Sequence, residues 1–212
     1  MRIILAAVGR TLADAWHEAM DGIDCVSIHR GSILAVDCTA MVSPANSFGF
    51  MDGGIDAVYS RHFGWGVEDG LRQLILDRHH GELLVGRAEL VETGDLAHPY
   101  LIAAPTMRVP MVLGPETVNP FLATRAALLL VKHGVFGAGE FTGKRIAEVV
   151  NAIAFPGMGT GVGGVSPEIC ARQMRAAIDE YLLEQPRRPS SWAEASERHQ
   201  LLFTDWPWEP RS

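Results

Sequence analysis

Apolar positions along this chain fall into two alternating rhythms. Short continuous runs, each the length of one strand, give way to longer stretches with apolar residues at three- and four-residue spacing. That alternation predicts a single α/β unit. Residues 2–8 are apolar enough for a strand buried on both faces of a sheet. Thr11 can cap a helix over 11–20 that puts Leu12, Ala15, Trp16 and Ala19 on one face. Strands are predicted at 25–29, where Val26 and Ile28 alternate, and at 39–42. A short helix over 54–63 is followed by a longer one over 66–79, with Val67, Leu71, Leu74 and Ile75 at helical spacing and Gly81 as its terminator. Strands at 88–92 and 100–104 precede a helix over 119–133, opened by Asn119-Pro120. A last strand over 146–155 leads through a glycine-dense loop to a last helix over 166–184, striped by Met174, Ile178, Tyr181 and Leu182.

After Gln185 the pattern stops. Pro186-Arg187-Arg188-Pro189-Ser190-Ser191 reads as a linker or extended arm, which divides the chain into a domain over 1–185 and a Pro/Trp-rich tail over 186–212. The tail carries Trp192, Trp206 and Trp208. Tryptophan is seldom left exposed on a monomer, so the tail is expected to pack back on the domain, with docking on a partner as the other reading.

Composition narrows the function classes. A chain of 212 residues holds one domain with a sizeable core. A net charge of −7, from 18 basic and 25 acidic residues, argues against general binding to nucleic-acid backbone. Cys25, Cys38 and Cys170 are scattered without a CxxC pair and read as reduced thiols of a cytoplasmic protein. No apolar run is long enough to span a bilayer, and residues 1–8 are too short for a signal segment, so no membrane partner is expected. His79 and His80 end a helix and the other histidines lack ligand spacing, so neither a metal nor a cofactor is expected.

Two stretches carry the chemistry. In the first, the strand-like Met41-Val42 leads into Ser43-Pro44-Ala45-Asn46-Ser47, a loop containing Gly49, and Gly53-Gly54-Ile55-Asp56 at the start of a helix. Amides at a helix start, approachable because glycine has no side chain, form a cradle for phosphate or another anion. The second has the same grammar: the apolar Ile153-Ala154-Phe155, a loop from Gly157 through Gly159, Thr160, Gly161, Val162, Gly163 and Gly164, then Ser166-Pro167 as N-cap and first helical residue. Two such loops can converge at the carboxyl edge of an open α/β sheet, where ligands bind. The loop over 105–110 ends another strand and can line the same place; its Arg108 is either a phosphate contact or a solvated charge. Asn46 can equally bond its own backbone in a turn, and Asp56 can equally serve the helix dipole.

Together the stretches resemble the macrodomain family, the ADP-ribose-binding α/β module, over roughly residues 2–184. The resemblance rests on Ser43-Pro44-Ala45-Asn46, on Gly53-Gly54-Ile55-Asp56 with Arg61 and Gly64 in the helix after it, and on Thr160-Gly161-Val162-Gly163-Gly164. It implies a three-layer α/β/α sandwich with a central mixed, largely parallel sheet of about six strands. It implies ADP-ribose or an ADP-ribosylated substrate as partner, with the diphosphate between the amides of Gly53-Gly54-Ile55 and those of Gly159–Gly163. The interval from Asn46 to Asp56 matches the hydrolase branch, which makes these two the candidate catalytic pair for an oriented water. Ala45, Ser47, Gly157, Thr160 and Val162 are the further ligand contacts implied. Where many members have Gly-Asp-Ile to read the adenine, this chain has Gly31-Ser32-Ile33, so Ser32 and Ile33 are the adenine-side candidates, with the charge lost. Gly163 stands where the family loop has an aromatic residue, Ser60 replaces the helix histidine, and Met51-Asp52 adds a carboxylate beside the cradle. These departures keep two other readings open: a non-catalytic ADP-ribose or nucleotide reader, and a phage-related assembly protein that kept the fold.

Overall fold

The computed structural model describes residues 1–183 and 186–206. Six strands, β1 (Arg2–Ala7), β2 (Val26–Arg30), β3 (Ala40–Ser43), β4 (Glu89–Glu92), β5 (Tyr100–Ala103) and β6 (Ala152–Phe155), form one sheet in the order β2-β1-β6-β3-β5-β4. All neighbouring pairs are parallel except β4 with β5. The carboxyl ends of β1, β2, β3, β5 and β6 therefore share one edge of the sheet. This is the mixed, largely parallel sheet expected.

Alternation along the strands splits the interior in two. Ile3, Leu5, Val42, Ile102, Ile153 and Phe155 point to one face. There they meet Trp16 of α1 (Arg10–Ala19), Leu128 and Val131 of α4 (Asn119–His133) and Met174 and Ile178 of α5 (Pro167–Leu182). Ile4, Met41, Leu101 and Ala154 point to the other face, against Tyr59 of α2 (Gly54–Phe63) and Leu71 and Ile75 of α3 (Gly66–His79). Both faces are thus covered, and the sandwich has three layers.

Local signals explain most of the boundaries. Ser166 caps α5 by accepting from the Ile169 amide at 3.3 Å, with Pro167 at the first helical position. α3 ends in left-handed backbone at His80 (φ 52°) and Gly81 (φ 88°). Three expectations give way. α1 starts at Arg10, one residue before Thr11, with Gly9 at the N-cap and no side-chain cap. Asn119 lies inside α4 rather than capping it, and its Nδ2 donates to the Thr106 carbonyl at 2.8 Å. The strand expected over 146–155 is β6 alone, preceded by a 3₁₀ turn at Ile146–Glu148. The buried Ile146 and Val150 are spaced as a helical turn, and Thr39 Oγ1 accepts from the amides of both Asn151 and Ala152 at 3.1 Å, so pairing begins only there.

The tail differs most. It forms a helix, α6 (Trp192–Gln200), rather than an arm, opened by Ser191 accepting from the Glu194 amide at 3.1 Å while Glu194 accepts from the Ser190 amide at 2.6 Å. Leu202 and Phe203 are half-buried, but no residue of α6 is buried, and Trp192 (81% exposed) and Trp206 (77%) project into solvent. The packing expected of these tryptophans is not seen; Trp208 lies outside the described residues. No helix among the described residues is long and apolar enough to cross a membrane.

Candidate functional site: a cleft at the carboxyl edge of the sheet

The loops that leave β3, β5 and β6 enclose a cleft of about 280 Å³. Its first wall is the stretch between β3 and α2, which is tied to the loop after β5 beyond the strands themselves. The Ser47 amide donates to the Met107 and Arg108 carbonyls at 3.1 Å, the Thr106 amide to the Ala45 carbonyl at 3.0 Å, and Thr106 Oγ1 to the Pro44 carbonyl at 3.2 Å. Asn46 then folds the turn around its own side chain. Its Oδ1 accepts from the amides of Phe48 (3.1 Å) and Phe50 (3.3 Å), and its Nδ2 donates to the Phe50 carbonyl at 2.8 Å. That is the turn arrangement open to asparagine, extended by one bond. Gly49 takes φ 72° in the same turn, and a Cβ there would lie 2.9 Å from Ile75 Cδ1.

At the end of this wall α2 begins on Gly53 without a side-chain cap, so the amides of Gly54, Ile55 and Asp56 have no partner within the helix. Gly54 has φ 55°, which favours glycine. Behind these amides lies Asp56, 7% exposed, accepting from Ser43 Oγ at 2.5 Å. Burial pushes its carboxyl up to about 7, against the Ser43 hydrogen bond, and Glu68 adds a further upward push. Glu68 is held close because its Oε2 accepts from the Met51 amide at 3.0 Å. Ser60, where the family helix carries histidine, donates to the Met51 carbonyl at 3.0 Å and so fixes the same loop.

The second wall is the loop after β6. Gly159 (φ 73°) and Gly164 (φ 67°) turn the backbone back, with the Val165 amide donating to the Gly159 carbonyl at 3.1 Å. A Cβ on Gly157 would lie 2.3 Å from Thr160 Oγ1, and one on Gly163 would lie 2.4 Å from the Gly159 carbonyl oxygen. Gly163 therefore replaces an aromatic residue in a loop too tight for any side chain at that place. A Cβ on Gly161 meets nothing within 4 Å.

Of the residues singled out from the sequence, the cleft brings together Ala45, Asn46, Gly53, Gly54, Ile55, Asp56, Gly157, Gly159, Thr160, Gly161, Val162 and Gly163. Ser32, Ile33 and Ser47 do not line it. Ser32 Oγ accepts from the Leu34 amide at 3.3 Å, Ile33 is buried in the α2–α3 core, and Ser47 is buried in the pairing just described. Arg108 stands aside too: its guanidinium grips Glu82 (2.6 and 3.2 Å) and lies over the Phe48 ring. Sequence reasoning missed Phe50, a half-exposed aromatic of the wall with Arg72 over its ring at 4.3 Å. It also missed Ser43 as the partner of Asp56. Ser43 shares strand parity with Met41, which faces α2, and that parity was the available signal. The three cysteines are free, and burial pushes the Cys38 and Cys170 thiols up to about 12, which makes both inert as nucleophiles.

Comparison with known proteins agrees with this arrangement. A family model, the Macro domain, matches residues 42–174, from the end of β3 into α5. An uncharacterized protein of Aquifex aeolicus is 37% identical over 157 residues, 74% of this chain and 82% of its own length. The O-acetyl-ADP-ribose deacetylase of Cronobacter sakazakii is 26% identical over 167 residues, 76% of this chain and 81% of its own. Among solved structures, a mutant Oceanobacillus iheyensis macrodomain with ADPR superposes with a TM-score of 0.57 at 19% identity, covering 73% of this chain and 76% of that one. The macrodomain of Mycobacterium tuberculosis DarG gives 0.55 at 19% identity, covering 70% and 86%. With the matched segment spanning both walls of the cleft, the chain belongs to the macro domain family.

Proposed function

We propose that the cleft binds ADP-ribose or an ADP-ribosyl derivative and hydrolyses an ester on its distal ribose. One observation carries this reading: an uncapped helix start, a glycine loop and a buried carboxyl with a pKa near 7 meet in a single cleft. The diphosphate lies between the amides at 53–55 and those at 159–163, where the start of α2 adds its partial positive charge. That local field is needed, because the chain as a whole carries −7. Asp52, exposed at the rim, is screened by water. Phe50 offers a ring to the ligand in place of the aromatic absent at Gly163.

Ser43 holds one oxygen of Asp56 and leaves the other to orient a water. The water oxygen bonds to the acyl carbon, its proton passes to the Asp56 carboxylate, and the ester C–O bond breaks. The same proton then goes to the departing ribose oxygen. The deacetylase among the relatives supports an O-acyl substrate. Asn46 acts mainly as the builder of the turn, since both polar atoms of its amide are engaged by backbone groups. That engagement also favours a second reading, a binding module without turnover.

Titration calorimetry of ADP-ribose against the wild type and Gly161→Glu tests the ligand. The new side chain enters open space, so binding should fall at least tenfold without loss of fold. No heat from folded wild type would overturn the reading. Turnover of O-acetyl-ADP-ribose, abolished in Asp56→Asn, then separates the hydrolase from the binding module.

A further inference from the structure

Away from the cleft, His62 at the end of α2 meets Asp95 and His98 of the β4–β5 turn. One ligand atom from each residue lies within 4.8 Å of the others. The turn is tied by its own side chains: Thr93 Oγ1 donates to the His98 carbonyl at 2.5 Å and accepts from the Asp95 amide at 3.1 Å. Asp95 Oδ1 accepts from the amides of Ala97 (2.7 Å) and His98 (2.9 Å), which leaves Oδ2 facing His62 Nε2 at 3.8 Å.

His98 is the informative member. Its side chain is 9% exposed, and its Nε2 lies 2.9 Å from the Val36 carbonyl. A carbonyl only accepts, so Nε2 carries a proton, and the tautomer of this ring that can ligate a metal presents its lone pair at Nδ1. That buried Nδ1 has no hydrogen-bond partner among the described residues and stands 3.9 Å from Asp95 Oδ1, too far for a hydrogen bond. An imidazole whose second nitrogen is tied to a backbone carbonyl is how histidine is oriented for a metal.

We propose that His62 Nε2, Asp95 Oδ2 and His98 Nδ1 bind one zinc-class divalent cation. Two imidazoles and one carboxylate suit Zn²⁺, and three protein ligands leave the fourth tetrahedral position to water. Tetrahedral zinc sets its ligand atoms roughly 3.4 Å apart. Rotation of the His62 ring, the most exposed of the three side chains, would close its own distances, and a swing of the Asp95 carboxylate by about half an ångström would close the 3.9 Å between Asp95 and His98 Nδ1. The ion would pin the far end of α2, the helix whose start forms the anion cradle, to the β4–β5 turn. The spacing along the chain hides this site, because His62 and the Asp95/His98 pair come from separate elements.

The test is a titration of the chelator-treated full chain with Zn²⁺ alone, against a competing chromophoric chelator. Wild type should bind one equivalent. His62→Ala and Asp95→Asn should each weaken binding at least tenfold. Asp95→Asn retains an oxygen for the two amides of the turn, so its fold is preserved. His79→Ala, which removes a histidine paired with Glu89 elsewhere, should leave affinity unchanged. Addition of Zn²⁺ should raise the thermal midpoint of wild type but not of Asp95→Asn. Absence of stoichiometric binding, equal affinity in wild type and both ligand variants, or a matching loss in His79→Ala would each overturn the proposal. None of these readouts depends on ADP-ribose.

Discussion

Asp56 is an acid held almost entirely out of solvent. Its carboxyl titrates at about 7 in the folded protein, against 3.8 for an ordinary aspartate. The native state therefore holds this proton more tightly than the unfolded chain. Between about pH 4 and pH 7 the unfolded state releases it first, so stability falls as pH rises through that window and levels off above it. Asp56→Asn stays neutral and keeps an oxygen for the Ser43 hydroxyl. It should be more stable than wild type at pH 7.5 by on the order of 2–4 kcal/mol, an advantage that shrinks at pH 4.5. Urea denaturation at the two values checks this, and an advantage independent of pH would contradict it. The carboxylate that the proposed hydrolysis would use predominates only above the same pKa, so the burial that weakens the fold near neutrality would also set the pH range of that step.

At the scale of elements, the glycine loop after β6 is built to a tolerance. Gly163→Ala drives a Cβ against the Gly159 carbonyl, a backbone atom that yields only if the loop moves. It should cost about 1–3 kcal/mol of stability and weaken ADP-ribose binding. Gly161→Ala, two residues earlier and facing open space, should leave both near wild type. Denaturation and calorimetry on the pair decide the matter, and equal behaviour of the two variants would rule out the steric account. Elements of this kind were legible from the chain because their signals are local. Gly54–Phe63, Gly66–His79 and Asn119–His133 follow from apolar spacing, glycine and proline alone. What stayed hidden depends on contacts across the fold. Thr39 delays β6, Asn119 reaches Thr106 instead of capping its helix, and Arg108 spends its charge on Glu82. The cleft itself was half legible. The residues of the two motifs converge, whereas Phe50 and the Ser43–Asp56 pair needed the geometry of the turn and the strand.

At the scale of the molecule, the tail lies against the sandwich with little burial: Leu202 and Phe203 are only half-buried. α6 buries no residue, and the ion pair between Arg172 and Asp205 joins the segment after it to α5 through an exposed carboxylate. Such pairs contribute about 0–1 kcal/mol. Removing residues 186–212 should therefore move the thermal midpoint by less than about 4 °C. A larger fall would make the segment part of the core.

The sheet divides the interior into two separately packed volumes, and the cleft has one wall on each. Ala45 and Met51 anchor the first wall in the α2–α3 core, whereas Met158 and Val165 anchor the second in the α1–α4–α5 core. A molecule spanning both walls would act as a brace across a seam, loading two interiors that otherwise meet through the strands and through the Asn119–Thr106–Ala45 loop contacts. Occupancy of the proposed kind would then resist shear of one helical layer over the other, and a packing defect on either face would be felt as a loosened grip on ADP-ribose.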